Sequence, residues 1–125
     1  MKQIITSKNA PAPIGPYNQA VLANGMLFIS GQIAINPVTG DMVTADIVTE
    51  TKQVMNSLSA ILTEAGMDFS NVVKSTIFVK DLNNFAAVNK IYGEFFPANA
   101  PARETVEVSR LPKDANVEIS CIAVK

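Results

Sequence analysis

Residues 46–80, DIVTETKQVMNSLSAILTEAGMDFSNVVKSTIFVK, carry two periodicities in succession. In the first part Ile47, Thr51, Val54, Met55, Leu58, Ile61, Leu62 and Ala65 recur at spacings of three and four. That is one apolar stripe on an α-helix. Asp46 stands where a capping side chain accepts the first free N–H groups, and Gly66 where a helix turns out of its axis. From Val72 to Lys80 the pattern shortens to that of a strand, apolar at Val73, Ile77 and Val79 and again at Val72 and Phe78 on the other side. A strand apolar on both faces suits a sheet covered on both faces.

Working outward, the upstream segment reads as a hairpin. Tyr17 to Leu22 and Leu27 to Ile33 are strand-like, and Ala23, Asn24 and Gly25 lie between them. Asn-Gly accepts the positive φ angles of a tight hairpin turn. Asn36, Pro37, Thr39, Gly40 and Asp41 make a second, looser turn. Ala10 to Pro16 is an ordered entry loop, and Lys2 to Ile5 fits an extra edge strand. Downstream, a second helix is expected from about Asn84 to Phe96, with Phe85, Val88, Tyr92, Phe95 and Phe96 on one face and Pro97 as its stop. Arg103 to Val108 and Val117 to Val124 close the chain as strands. The order β-β-α-β-α-β-β fits one domain over residues 1–125, a sheet with two helices that can cover only one of its faces. The bare face then needs a cover, and a second copy of the chain is the simplest supplier.

Composition narrows the chemistry. At 125 residues the chain can bury a core without disulfides or a structural metal. Only 17% of residues are charged, the net charge is −1, and no run of like charges occurs. Nucleic acid and anionic membranes both reward a basic patch, so neither is expected as the main partner. No secretory leader or membrane span is evident, and the single cysteine suits a reducing cytosol, so a cytoplasmic location is expected. There is no histidine. Serine–histidine triads, histidine bases and nearly all catalytic zinc sites are thereby excluded. Chemistry is left to carboxylates, hydroxyls, arginine, lysine and backbone amides, and no metal ligand set or cofactor motif is present.

A few polar residues stand out, each with an ordinary reading beside a functional one. Asn89, on the apolar stripe of the second helix, is either a satisfied interior amide or a ligand group. Ser30 and Gly31 interrupt a strand, which marks a bulge or the close approach of a ligand. Arg103 shares a strand face with Thr105 and Glu107 and is either a surface residue or a fork for a carboxylate. Glu118 shares its face with Ser120 and Ile122 and is either an exposed glutamate or a general base. Cys121 reads as core packing, since no partner base is available to make a thiolate. The residues alone yield an arginine and a glutamate on neighbouring strands of an oligomeric sheet protein.

The wording of five segments adds a resemblance. APAPIGPYNQA at 10–20, SGQIAINPVTGDMV at 30–43, VKSTIFVKDLNNFAAVNKIYGEFF at 73–96, PARETVEV at 101–108 and RLPKDANVEISCIAV at 110–124 resemble, in order and spacing, the RidA branch of the Rid (YjgF) family. The resemblance implies an α+β fold with a chorismate-mutase-like mixed sheet and two helices on one face, and a homotrimer with sites at the subunit boundaries. With no histidine and no clustered carboxylates or cysteines, no metal or cofactor is expected. The implied reaction is hydrolysis of 2-iminobutanoate and 2-iminopropanoate, released by threonine and serine dehydratases, to 2-keto acids and ammonia. By the same resemblance Arg103 grips the substrate carboxylate and Glu118 positions or activates water. Ser30 and Gly31 line the pocket, and Tyr17 and Asn89 form its side walls. Thr105 stands where many relatives have cysteine, which bears on pocket size and substrate preference. Two rivals are a non-catalytic carboxylate-binding module with the same pocket and an RNA-directed activity. The absence of a basic patch and of histidine speaks against the second.

Overall fold

The computed structural model describes all residues from Met1 to Lys125. Strands β1 (Gln3–Ile5), β2 (Ala20–Ala23) and β3 (Met26–Gln32) precede helix α1 (Ile47–Glu64). Strand β4 (Val72–Val79), helix α2 (Phe85–Glu94), β5 (Ala102–Glu107) and β6 (Val117–Val124) follow. The six strands form one sheet in the order β1-β2-β3-β6-β4-β5. Only β4 and β5 run parallel, and α2 supplies the crossover such a pair requires. The expected α+β class and the edge strand near Lys2 to Ile5 are both present.

Helix α1 follows its stripe. The Asp46 carboxylate accepts the Thr49 N–H at 2.7 Å, and Gly66 takes φ +73° just beyond the last turn. Val54, Met55, Leu58, Ile61 and Leu62 are fully buried in one cluster with Val88 and Tyr92 of α2 and with Leu27, Ile77, Val117 and Ile119 of the sheet. Both helices therefore cover the same face. Removing a buried leucine such as Leu58 from that layer costs about 2–5 kcal/mol through lost transfer energy and a cavity. The hairpin turn is Asn24-Gly25, with φ +52° and +75°, as the sequence implies.

The other face is open, and it mixes exposed apolar side chains with polar ones such as Lys74, Thr76 and Glu104. Ile4, Phe28 and Val106 are each more than 40% exposed there, and Ser120 and Ile122 stand between them. Side chains on this face alternate strictly with the core set, for instance Glu118, Ser120 and Ile122 against Val117, Ile119 and Cys121.

Several boundaries differ from the sequence reading. The first hairpin strand begins at Ala20, not Tyr17, and the preceding Gln19 side chain is engaged with the entry loop instead. Its amide donates to the carbonyls of Ser7, Ala10 and Pro11 and accepts the Ser7 N–H at 2.6 Å, tying down the entry loop. Helix α2 ends at Glu94, short of Phe96, and its buried face is Val88, Ile91 and Tyr92, while Phe85 is 40% exposed. The largest correction concerns the sheet order: β4 lies between β5 and β6, so Arg103 and Glu118 are not on neighbouring strands.

Candidate functional site

Glu118 is the second residue of β6, beside an irregularity in its pairing with β3. The register shifts between Ile29 and Gln32, so Ser30 and Gly31 bulge out of the ladder. The Glu118 side chain fills the space this leaves. A Cβ placed on Gly31 would sit 2.6 Å from Glu118 Oε2, so glycine is what lets the carboxyl lie this close to the β3 backbone. Glu118 is partly buried on the open face of a central strand, and burial pushes its carboxyl above the ordinary carboxylate range. No charged side chain of the same chain contributes to that shift.

Around Glu118 runs a cleft of about 400 Å³, lined by Tyr17, Ser30, Gly31 and Gln32 and by the apolar side chains of Ile14, Ile33, Ile35 and Pro112. The entry loop held by Gln19 forms one wall, and its Tyr17 hydroxyl accepts the Ile14 N–H. The Ser30 hydroxyl donates to the Asn18 carbonyl at 2.6 Å, which leaves its lone pairs free to accept. Tyr17 and Ser30 also border a second hollow of about 520 Å³ on the open face, with Lys74, Thr76 and Ser120. Four of the expected site residues, Tyr17, Ser30, Gly31 and Glu118, thus come together.

The other three gather elsewhere. Arg103 pairs in register with Ser75, a core residue, so its side chain lies on the helix-covered side of the sheet. There α2 cradles it. The guanidinium lies 5.0 Å from the Tyr92 ring centre and 5.7 Å from that of Phe85, and Nη1 donates to Asn89 Oδ1 at 2.8 Å. Residues 85, 89 and 92 share one helical face, so α2 presents ring, amide and ring to one cation. Asn89 is consequently exposed and serves Arg103, rather than sitting as an interior amide. Beneath Tyr92, its hydroxyl donates to Ser75 Oγ at 2.9 Å, and Ser75 touches Cys121. Burial pushes the Cys121 thiol up to about 11, consistent with a packing role. Thr105 shares the Arg103 face, and its hydroxyl is buried without a hydrogen-bond partner within the chain.

The expected proximity of Arg103 to Glu118 is therefore not met inside one chain. The cradle of Phe85 and Tyr92 and the anchoring role of Gln19 were missed in the sequence reading. The 85–89–92 spacing carried the first signal, whereas Gln19 carried none. No three His, Cys, Asp or Glu side chains converge to hold a metal ion. No helix is long and apolar enough to cross a membrane.

Comparison with known proteins places the chain. The family model described as Endoribonuclease L-PSP matches residues 7–125. A goat 2-iminobutanoate/2-iminopropanoate deaminase is 45% identical over 125 residues, covering 100% of this chain and 91% of the relative. A Yersinia pestis protein of the conserved Rid family, solved as a protein of unknown function, superposes with TM-score 0.97 at 51% identity over the full length of both chains. Escherichia coli TdcF, solved with bound serine, superposes with TM-score 0.94 at 41% identity over 98% of each chain. The chain belongs to the Rid (YjgF, L-PSP) family of reactive-intermediate deaminase relatives.

Proposed function

We propose that this protein hydrolyses 2-imino acids, such as 2-iminobutanoate and 2-iminopropanoate, to 2-keto acids and ammonia, at a site completed between copies of the chain in a homotrimer. The observation that carries the reading is a division of labour. A carboxyl group in a cleft and an arginine in an aromatic cradle sit on opposite sides of one sheet. Neither cluster suffices alone, and the exposed apolar side chains of the open face, Ile4, Phe28 and Val106, offer a surface through which a second copy can bring them together. The named activity of the goat relative and the serine held by TdcF support small amino-acid-derived ligands.

The chemistry follows from the groups. Arg103, held against the Phe85 and Tyr92 rings and by Asn89, offers parallel N–H donors to the substrate carboxylate. This fixes the imine carbon relative to the Glu118 of the neighbouring copy. Glu118 takes a proton from water as oxygen adds to the C=N carbon and passes it to nitrogen, giving a carbinolamine. It then takes the hydroxyl proton and delivers it to nitrogen as the C=O forms, the C–N bond breaks and ammonia leaves. Ser30 and Gly31 shape the cleft around the reacting carbon, and Tyr17 and Thr105 close its sides. General-base assistance typically contributes about 10²–10⁴-fold, sufficient for a substrate that already hydrolyses unaided. No metal or organic cofactor is required by this scheme, and a cytoplasmic setting agrees with the single reduced cysteine. The test couples a serine/threonine dehydratase to the purified protein. Faster keto-acid release is expected; an unchanged rate with intact 2-keto-acid binding would instead make the chain a carboxylate-binding module.

A further inference from the structure

Glu50 is the most deeply buried charged-type residue of the chain, 0% exposed in the first turn of α1. It meets no cation. Instead both of its oxygens are turned to one residue: Oε2 accepts the Asn116 backbone N–H at 2.7 Å, and Oε1 accepts Asn116 Nδ2 at 2.8 Å. The Asn116 carbonyl is also taken, by the Lys80 N–H at 3.0 Å. Every main-chain polar group of Asn116 is therefore fixed, and Asn116 lies two residues before Glu118.

This stretch needs fixing more than most. On one side of Glu118 the β3–β6 ladder is broken by the Ser30–Gly31 bulge, so strand pairing there is irregular. Three and two residues before Asn116, Lys113 and Asp114 both hold φ near +50°, at 53° and 54°. Left-handed backbone costs non-glycine residues about 1–2 kcal/mol each, and such strain persists only where surroundings impose it. The same turn brings Pro112 to the cleft wall. A carboxylate packed against the Gly31 backbone has little tolerance for movement, and displacements of about 1 Å can cost about 100-fold in rate.

We propose that Glu50 is a positioning residue for Glu118, acting through Asn116 to hold the start of β6 and the Pro112 wall in register with the cleft. The inference rests on Glu118 being the water-activating carboxyl. Arg103 is untouched by it, so substrate grip and water activation should separate.

The test pairs coupled rates with an NMR titration of the Glu118 carboxyl carbon in Glu50→Ala, Glu50→Gln and Asn116→Ala. In Glu50→Ala, kcat should fall about 10- to 100-fold while 2-keto-acid affinity holds. The Glu118 midpoint should move toward that of a solvated carboxyl. Glu50→Gln, which still accepts the Asn116 N–H and pairs with a turned Asn116 amide, should restore both. Asn116→Ala keeps the backbone bond to Glu50 and should show a milder form of the same split, which carries the test if Glu50→Ala does not fold. A Glu118 titration unchanged in the folded variants would overturn the proposal. So would a rate loss matched by equal loss of affinity and folded fraction. A wild-type protein without deaminase activity whose Glu118 titration still responds to Glu50 would leave the clamp standing and remove the deaminase reading alone.

Discussion

Arg103 and Glu118 lie on opposite faces of one sheet with β4 between their strands: Arg103 pairs with Ser75 toward the helices, and Glu118 pairs with Phe78 toward the open face. Two groups so placed cannot hold one four-carbon substrate between them within a chain. If both act on one imine, the partner of each belongs to another copy.

That requirement makes oligomerisation a condition of activity. Light scattering in dilute solution should return three times the chain mass of 13.4 kDa. Charge placed on the open face, as in Phe28→Glu, should dissociate the assembly and abolish turnover together. A stable wild-type monomer with full activity would contradict the shared site.

Substitution should separate grip from chemistry. Arg103→Lys keeps a charge but loses the planar fork and its stacking, so 2-keto-acid affinity should drop tenfold to over a hundredfold, as charge-assisted hydrogen bonds contribute about 1.5–3 kcal/mol each. Glu118→Gln should leave affinity near wild type while turnover falls. Calorimetry beside the coupled assay reads both, and turnover unchanged in Glu118→Gln would reassign the base.

Gly31→Ala tests the close approach directly. Its added Cβ would lie 2.6 Å from Glu118 Oε2, so the carboxyl must swing away. The side chain is displaced rather than the backbone core, so thermal unfolding should change little while the rate falls at least tenfold, about 1.4 kcal/mol in barrier. Equal loss of stability and rate would show that the contact is structural only.

The pH profile should report the neighbouring arginine. Burial raises the Glu118 carboxyl, and a base must be ionised, so the rate is lost as pH falls through that raised value. An Arg103 arriving from a second copy favours the ionised form and draws the acid limb downward. Arg103→Ala should therefore shift the limb of kcat to higher pH, while Arg103→Lys, which keeps the charge, should shift it less. Stability carries the matching sign. A carboxyl raised in the folded state binds more protons than in the unfolded chain, so stability declines as pH rises from the ordinary to the raised value. Glu118→Gln removes that decline, and chemical denaturation across the acid range measures it in both proteins.

Legibility in the sequence followed the range of the interactions. Helix α1 and the Asn24-Gly25 hairpin were plain because their signals, a stripe, a cap and a turn, are local. The insertion of β6 between β3 and β4 was not, since strand order depends on pairings between segments far apart in the chain. Glu118 and Gly31 were picked out as candidates by alternation and an interrupted strand, yet their mutual contact became visible only with the bulge. Asn89 read as either an interior amide or a ligand group, because a position on an apolar stripe looks interior until Arg103 is seen beside it. The buried clamp from Glu50 to Asn116 had no sequence signal: a glutamate in the first turn of a helix ordinarily faces water.

The most direct measurement is complementation between two impaired variants. Arg103→Ala and Glu118→Gln proteins, each with little activity, are unfolded together, refolded as a mixture and assayed with dehydratase-generated imine. If sites form between copies, random assembly about a three-fold axis pairs an intact Arg103 with an intact Glu118 at roughly a quarter of the sites. Activity should then recover to about that fraction of wild type. A mixture no more active than its two components would show that Arg103 and Glu118 do not meet across a subunit boundary.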